Sequence, residues 1–545
     1  RAAAPAPAAP SGLTAQDQQR LTEILQRVRR EYVDEVPRER LLDDAARGMV
    51  SSLDAYSAYL DQREYEEIRR GAAGNYPGIG IEVAAEGKAI KVLRPLSDSP
   101  AERAGLRSGD EIVRIDDAPV GRDVEEAIEQ MRGPAGSRVR LTVRRAGSGE
   151  LVDVSLERTR VEVHSVSGQM LAANRAYVRI VAFSDTTLAD LEAVLKSLRQ
   201  THQIAGLVLD LRRNGGGYLS EAIELAGLFI KKGPVVQVKN FAGEIQVDTD
   251  NNEKIAYDGP LAVLVDRFSA SASEIVAGAL QNYGRAVVIG DRSTHGKGSV
   301  QSVVEMRQVD RTLSYARNKD GSPAKTGAAK FTIQKYYLPS GDSTQLKGVV
   351  PDIVLPSVTN LIPGIGEADL LHALAWEQIP TSVFDGSPLD AKVLTPLRQS
   401  SLERQEKLEE FAYLRKNIEW FKARQEQKLI SVNLDERKQQ KATDDAFRKS
   451  MNAEKKLLAK NDYTFKEFRL GPPALPRIKA AKKDADKDVD ADDDDDAVEE
   501  ENDTYIKNDV HLRETLRVVS DAVSLGTNKA EWASNRAPLT ARSGG

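Results

Sequence analysis

The stretch Leu261–Asp291, "LAVLVDRFSASASEIVAGALQNYGRAVVIGD", decides the fold. It reads as strand "LAVLVDRF", helix "ASEIVAGALQNY" and strand "RAVVIGD". Continuous apolar strands alternating with a helix are the mark of a parallel or mostly parallel α/β sheet, because both faces of such strands are covered. The turn between the first strand and the helix holds three serines, Ser269, Ser271 and Ser273. Main-chain N–H groups at a helix start point outward with partial positive charge, so a hydroxyl there can be nucleophile, cap or anion contact. Ser271 followed by Glu274 is also the S-x-x-E capping box, which would satisfy the first unpaired donors of the helix.

The same alternation extends in both directions. From Arg175 come strand "AYVRIVAF", helix "TLADLEAVLKSLRQ", strand "IAGLVLDLR" and helix "YLSEAIELAGLFI". In such a sheet, functional groups belong at the carboxyl ends of the strands. Two further turns qualify. In "LDLRRNGGGYLSEA", Asn214–Gly217 joins a buried strand to a helix, and three glycines let a main-chain N–H approach a reacting atom, as an oxyanion hole requires. In "GDRSTHGKGSVQ", Gly296 and Gly298 bracket Lys297 directly after a buried strand. Serine, lysine and a glycine-rich donor loop on successive turns of one sheet make a Ser-Lys acyl-transfer site that needs no histidine. The lysine must be neutral for this, which burial favours, so activity is expected to rise with pH.

The rest of the 545 residues divides by pattern. Residues 1–12, "RAAAPAPAAPSG", read as a flexible leader without the apolar segment of a signal peptide. Residues 13–75 form a helical N-terminal region, with Leu21, Ile24, Leu25, Val28 and Tyr32 at helical spacing. Residues 76–160 form a small β-rich module, 161–357 the α/β core, and 358–545 a helical, charged C-terminal region. The acidic run from about 484 to 503 is expected to be a solvated, disordered insert, since it lacks the central glycine and terminal glutamate of a calcium loop.

Lys plus Arg total 77 against 83 Asp plus Glu, a net charge of -6 that argues against nucleic acid as a partner. No cysteine is present, which excludes disulfides, thiolate zinc sites and a cysteine nucleophile. The five histidines are His164, His202, His295, His372 and His511. No apolar run approaches the roughly 18 residues that span a bilayer, so membrane association is expected to be peripheral at most.

Set side by side, "SSLDAYSAYLDQREY", "YPGIGI", "SPAERAGLRSGDEIVRID", "DLRRNGGG", the Leu261–Asp291 stretch without its first two residues, "GKGSVQ" and "LPSGDSTQLKGVVPDI" resemble the carboxy-terminal processing peptidases, most of all their bacterial tail-specific branch. These pieces run in unbroken order over roughly residues 12 to 356. The resemblance implies that the middle serine, Ser271, is the nucleophile and Lys297 the base, with Gln301 orienting the lysine. It places the oxyanion donors on the main chain of Ala272 and of the Gly215–Gly216 pair. The β-rich module resembles a PDZ domain, whose carboxylate-binding loop falls on Gly78, Ile79, Gly80 and Ile81; there main-chain N–H groups hold a free chain end while the ligand adds as a β-strand. No metal or cofactor is implied.

Three departures from the family pattern stand out. Asn282 replaces a frequent acidic residue, His295 replaces an aromatic and offers a rival base, and the loop before Lys297 is one residue longer than usual. The C-terminal "KLISVNLDERKQQKATDDAFRK" resembles the tail-specific branch more loosely, and its helices are expected to flank or shield the core. The resemblance implies an exported endopeptidase of the bacterial periplasm or cell envelope, acting on proteins with exposed C-termini, with a helical-repeat lipoprotein as a possible adaptor. The alternative is an inactive scaffold whose PDZ domain captures tails without cutting them. In a third arrangement, the PDZ domain gates the Ser-Lys pair.

Overall fold

The computed structural model describes residues 12–86, 89–96, 99–121, 123–171, 174–201, 203–309, 314–315, 317, 321, 326–458, 465–468 and 509–525. Most of the expected leader, residues 1–11, together with His202 and the acidic run, lies outside them. The chain forms two compact units, residues 1–66 with 300–333 and residues 67–299 with 334–545.

In the first unit, helix Ala15–Glu31 starts at a capping box in which Thr14 and Asp17 serve each other's N–H groups. Helix Arg38–Ser51 follows, and strand Ala58–Leu60 pairs antiparallel with residues 328–330. The turn between them is held by buried Asp54, which accepts from the N–H groups of Tyr56 and Ser57 and from the Ser57 hydroxyl.

The second unit carries the β-rich module and the α/β core. The module is a sheet in the order Ile81–Glu86, Ala89–Pro95, Glu111–Ile115, Arg138–Arg144, Leu151–Glu157, with the short Ala118–Pro119 strand on Glu111–Ile115. Alternating residues such as Val139, Leu141 and Val143 point inward and pack with Ile90, Ile112, Leu106 and Leu156. The terminal strand Ile81–Glu86 leaves one edge open, and helix Val124–Met131 lies against it.

The core sheet has seven strands in the order Ile353–Val354, Val287–Gly290, Leu261–Val265, Gly206–Asp210, Arg175–Ile180, Val166–Leu171, Phe465–Phe468. The first five are mutually parallel. Val166–Leu171 is antiparallel to both neighbours, since its short link to Arg175–Ile180 allows only a hairpin. Gly206–Asp210 and Leu261–Val265 are buried throughout, which explains why they read as unbroken apolar runs. One face of the sheet, including Val208, Ala262, Leu264 and Ile289, packs against Leu394 and Leu397 of helix Ala391–Lys407 and Leu512, Leu516 and Val519 of helix Val510–Leu525. The C-terminal region thus completes the sheet's core, and each Val or Leu so buried contributes roughly 1.5–3 kcal/mol.

Candidate active site

The three serines of the turn after Leu261–Val265 have separate structural fates. Ser269 is fully buried; its hydroxyl donates to the Leu211 carbonyl (2.8 Å) and accepts from Asp266 N–H (3.0 Å). Ser273 is equally buried and donates to the Asn214 carbonyl (2.9 Å). Both hydroxyls tie the serine turn to the neighbouring 211–214 turn. Ser271 is only partly buried and is the N-cap of helix Ala272–Asn282, with φ 56° and ψ -115°. For a residue with a Cβ this backbone is strained by about 1–3 kcal/mol, which surrounding bonds must hold in place.

Those bonds converge on Glu274. Its carboxylate is fully buried and accepts four donors: Ser271 N–H (2.8 Å) and Lys297 N–H (3.0 Å) on one oxygen, Thr294 hydroxyl (2.5 Å) and Gly296 N–H (2.7 Å) on the other. Main chains 26 residues apart in sequence, Ser271 and Lys297, therefore share one carboxylate oxygen. Burial pushes the Glu274 carboxyl up to about 7, while its hydrogen bonds pull the other way. Buried Tyr336 adds a second clamp, its hydroxyl reaching the carbonyls of both Lys297 and Ser271 (3.3 Å to the latter), and the Thr344 hydroxyl donates to the Lys297 carbonyl (2.7 Å). The S-x-x-E signature marks Glu274 as a cap, but its reach to residues 294–297, and the contributions of Tyr336 and Thr344, carry no sequence signal.

The glycines around Lys297 have a steric cause. Gly296 has φ 97°, and a Cβ on Gly298 would lie 2.8 Å from the Gln345 Cβ, so the loop lies flat on the 343–348 segment.

The glycine-rich turn also approaches Ser271. Buried Asn214 is its hub: the side chain donates to the Ile180 carbonyl and accepts from Gly216 N–H (2.9 Å), and its carbonyl accepts from Ala270 N–H. A Cβ on Gly216 would meet the Ser271 Cβ at 2.8 Å and the Ala272 nitrogen at 2.9 Å. Asn214 occupies the Gly216 N–H, whereas the N–H groups of Gly215 and Ala272 donate to no acceptor among the described residues. Ala272 follows Ser271 and Gly215 precedes the Gly216 that abuts it, an arrangement that fits a site binding developing negative charge.

In the β-rich domain, Gly78–Ile81 links strand Asn75–Gly78 to the edge strand. Gly80 has φ 73° and packs on Ser99, and the carbonyls of Ile79 and Gly80 accept from Ala101 and Leu96. The N–H groups of Ile79 and Gly80 have no acceptor among the described residues. Ile81 and Val83 on the strand and Val124 and Ile128 on the helix are partly buried and line the open edge.

Residues 174–355 match the model of peptidase family S41, residues 91–145 the PDZ domain, and residues 364–524 the C-terminal domain of tail specific protease. A carboxy-terminal-processing protease of Bartonella bacilliformis is 37% identical over 344 residues, 62% of this chain and 74% of its own length. The chain belongs to the carboxy-terminal processing protease family. The tail-specific protease of Haemophilus influenzae is 34% identical over 412 residues, 73% of this chain; the chain spans 57% of that protein. A solved photosystem II D1 C-terminal processing protease aligns with 63% of this chain and 94% of its own, at 29% identity and a TM-score of 0.35.

The departures from the pattern of the processing proteases each have a local setting. The Asn282 amide oxygen accepts from Ser340 N–H (2.9 Å), a bond that a carboxylate at this position could also make. His295 is held by its main chain, donating to the Ser269 carbonyl and accepting from Glu367 N–H, and its Nδ1 lies 3.7 Å from the Glu367 carboxylate. Burial, then the charges of Arg267 and Lys297, push its imidazole below the ordinary range, so it is neutral near pH 7. The loop before Lys297 is pinned by Thr294 N–H on the Val349 carbonyl. Gln301 belongs to the other unit, where its amide donates to Thr332 (3.0 Å). No helix among the described residues is long and apolar enough to cross a membrane.

Proposed function

We propose that this processing protease binds protein C-termini in its PDZ groove and cuts them with Ser271 as nucleophile and Lys297 as base. The observation that carries this reading is the Glu274 carboxylate joining the Ser271 and Lys297 main chains, with the N–H groups of Ala272 and of Gly215, on the turn whose Gly216 abuts Ser271, left unengaged. The neutral Lys297 amine takes the Ser271 proton as the oxygen attacks the peptide carbonyl. The two N–H groups receive the oxyanion, and the lysine returns the proton to the departing amine. Water then enters by the same route in reverse.

Mass spectrometry of wild-type protein quenched in acid during turnover of an unstructured protein is expected to show an acyl adduct on the peptide containing Ser271. Turnover with an adduct on another residue sinks the assignment.

For tail binding, the N–H groups of Gly78, Ile79, Gly80 and Ile81 are assigned to the terminal carboxylate and the Ile81–Val83–Val124–Ile128 edge to an apolar last side chain. Val124→Glu is expected to weaken binding of a peptide ending in an apolar residue by at least ~10-fold, since it sets a carboxylate against a carboxylate and removes apolar contact. Fluorescence anisotropy of a labelled peptide measures this, and unchanged affinity would place the tail elsewhere. The site of action we infer is the bacterial cell envelope, on envelope proteins and with a helical-repeat adaptor, as the resemblance to the tail-specific branch implies.

A further inference from the structure

We propose that Asp509, at the start of the C-terminal helix, is a positioning residue that holds the oxyanion turn Asp210–Gly217 through Arg212; this rests on the Ser271 peptidase reading above. Arg212 lies between two carboxylates. On one side its Nε and terminal nitrogen reach Asp210 (3.0 and 2.6 Å), which also accepts from Arg212 N–H (3.0 Å) and the Tyr177 hydroxyl (2.9 Å). On the other side both terminal nitrogens reach Asp509, at 3.0 and 2.6 Å in a bidentate pair. The side chains of Asp210, Arg212 and Asp509 are 0%, 9% and 8% exposed, so the charges are little screened by solvent. Burial pushes the Asp509 carboxyl up, but the Arg212 guanidinium, together with the Leu512 N–H and His511, offsets this and holds it below its ordinary value.

The position of this bridge gives it a consequence for the site. The next residue, Arg213, has φ 56°, a left-handed backbone held by its N–H on Asp266 (3.0 Å). Asn214 and the glycines follow directly, and Gly216 abuts Ser271. A strained turn relaxes unless its base is fixed. Asp210 grips the Nε edge of the guanidinium and Asp509 its outer edge, the two sharing one terminal nitrogen, so Arg212 cannot rotate out and let Arg213 return to an ordinary φ. The Gly215 N–H, three residues on, inherits that placement. A displacement of about 1 Å in such a donor can cost on the order of a hundredfold in rate.

Asp509 has a second, purely structural job. It is the N-cap of helix Val510–Leu525, its Oδ1 accepting from Leu512 N–H (2.9 Å). Asparagine caps a helix as well as aspartate does but carries no charge, so Asp509→Asn separates the two jobs.

The test uses the full chain, with wild type, Ser271→Ala, Asp509→Asn, Asp509→Glu and Val519→Ala, the last removing a contact of the same helix with the sheet. Two quantities are read: kcat and KM on an unstructured protein with an apolar C-terminal residue, and hydrogen exchange of the Arg213, Asn214 and Gly216 amides. Asp509→Asn is expected to lower kcat by ~10-fold or more at unchanged KM and to speed exchange of those three amides while helix 510–525 keeps its protection. Asp509→Glu is expected to recover most of kcat. Wild-type kcat and turn exchange in Asp509→Asn overturn the proposal. So does an equal loss of kcat in Val519→Ala at matched melting temperature, which would reduce Asp509 to a packing role. Wild type cutting no better than Ser271→Ala refutes the peptidase reading instead, and the exchange of the turn then decides the positioning claim alone.

Discussion

Ser271→Ala and Ser271→Gly are both expected to lower cleavage by ~10⁴-fold or more, while the glycine variant melts higher than the alanine variant. Removing a nucleophile leaves only the residual rate from oxyanion donors and binding. The stability difference follows from the backbone. At φ 56° and ψ -115° alanine keeps the steric cost of a Cβ and glycine does not, a difference of about 1 kcal/mol or more, less the entropy glycine adds to the unfolded chain. The flanking serines give the opposite pattern. Ser269→Ala leaves the Asp266 N–H without its partner and takes one of two donors from the Leu211 carbonyl, and Ser273→Ala removes the bond to Asn214, so each is expected to cost about 1–3 kcal/mol. Both shift the neighbouring turn as well, so a partial loss of rate accompanies the loss of stability. Cleavage assays paired with thermal melts on the four variants decide the matter: Ser269→Ala losing as much rate as Ser271→Ala would remove the distinction between the serines.

This division of labour among three serines shows where sequence reading ends. The strands Leu261–Val265 and Gly206–Asp210 are legible because both faces are buried, which forces an unbroken apolar run. The helix start at Ala272 is legible because S-x-x-E is a local signature. What Ser269 and Ser273 do is not legible, since their partners Leu211 and Asn214 lie on another turn of the sheet, and only the family resemblance singles out Ser271. Asp509 is further removed, in a helical segment nearly 300 residues from the arginine it pairs with. The C-terminal region reads as charged helices, and nothing in that pattern shows that Leu512, Leu516 and Val519 face the protease sheet. Asn282 reads as a departure, yet its amide oxygen still serves a neighbouring N–H.

The second large effect is expected at Glu274. Glu274→Gln should lower kcat by ~10²-fold or more and stability by about 2–4 kcal/mol, because four donors face a group that can accept with only one of its two ends. The least costly amide orientation keeps oxygen toward Ser271 and Lys297 and turns nitrogen toward the Thr294 hydroxyl, which can accept. Gly296 N–H then loses its partner beside Lys297. The pH dependence in wild type separates folding from function. The carboxyl is pushed to about 7 in the folded protein against 4.5 as its ordinary value. The folded state therefore binds this proton more tightly, and its contribution, about 3 kcal/mol, is complete below pH 4.5 and lost as pH rises to 7. Function runs the other way. A protonated carboxyl must donate, and of its four partners only the Thr294 hydroxyl can accept, so the proton sits on the oxygen facing Thr294 and Gly296 and the Gly296 N–H loses its acceptor beside Lys297 below pH 7. Cleavage by wild type should thus rise through pH 7 while the melting temperature falls slightly. In Glu274→Gln that limb should vanish. A Glu274→Gln profile with the same limb near pH 7 and a rate within threefold of wild type would show that the shared carboxylate does not hold the two catalytic turns together.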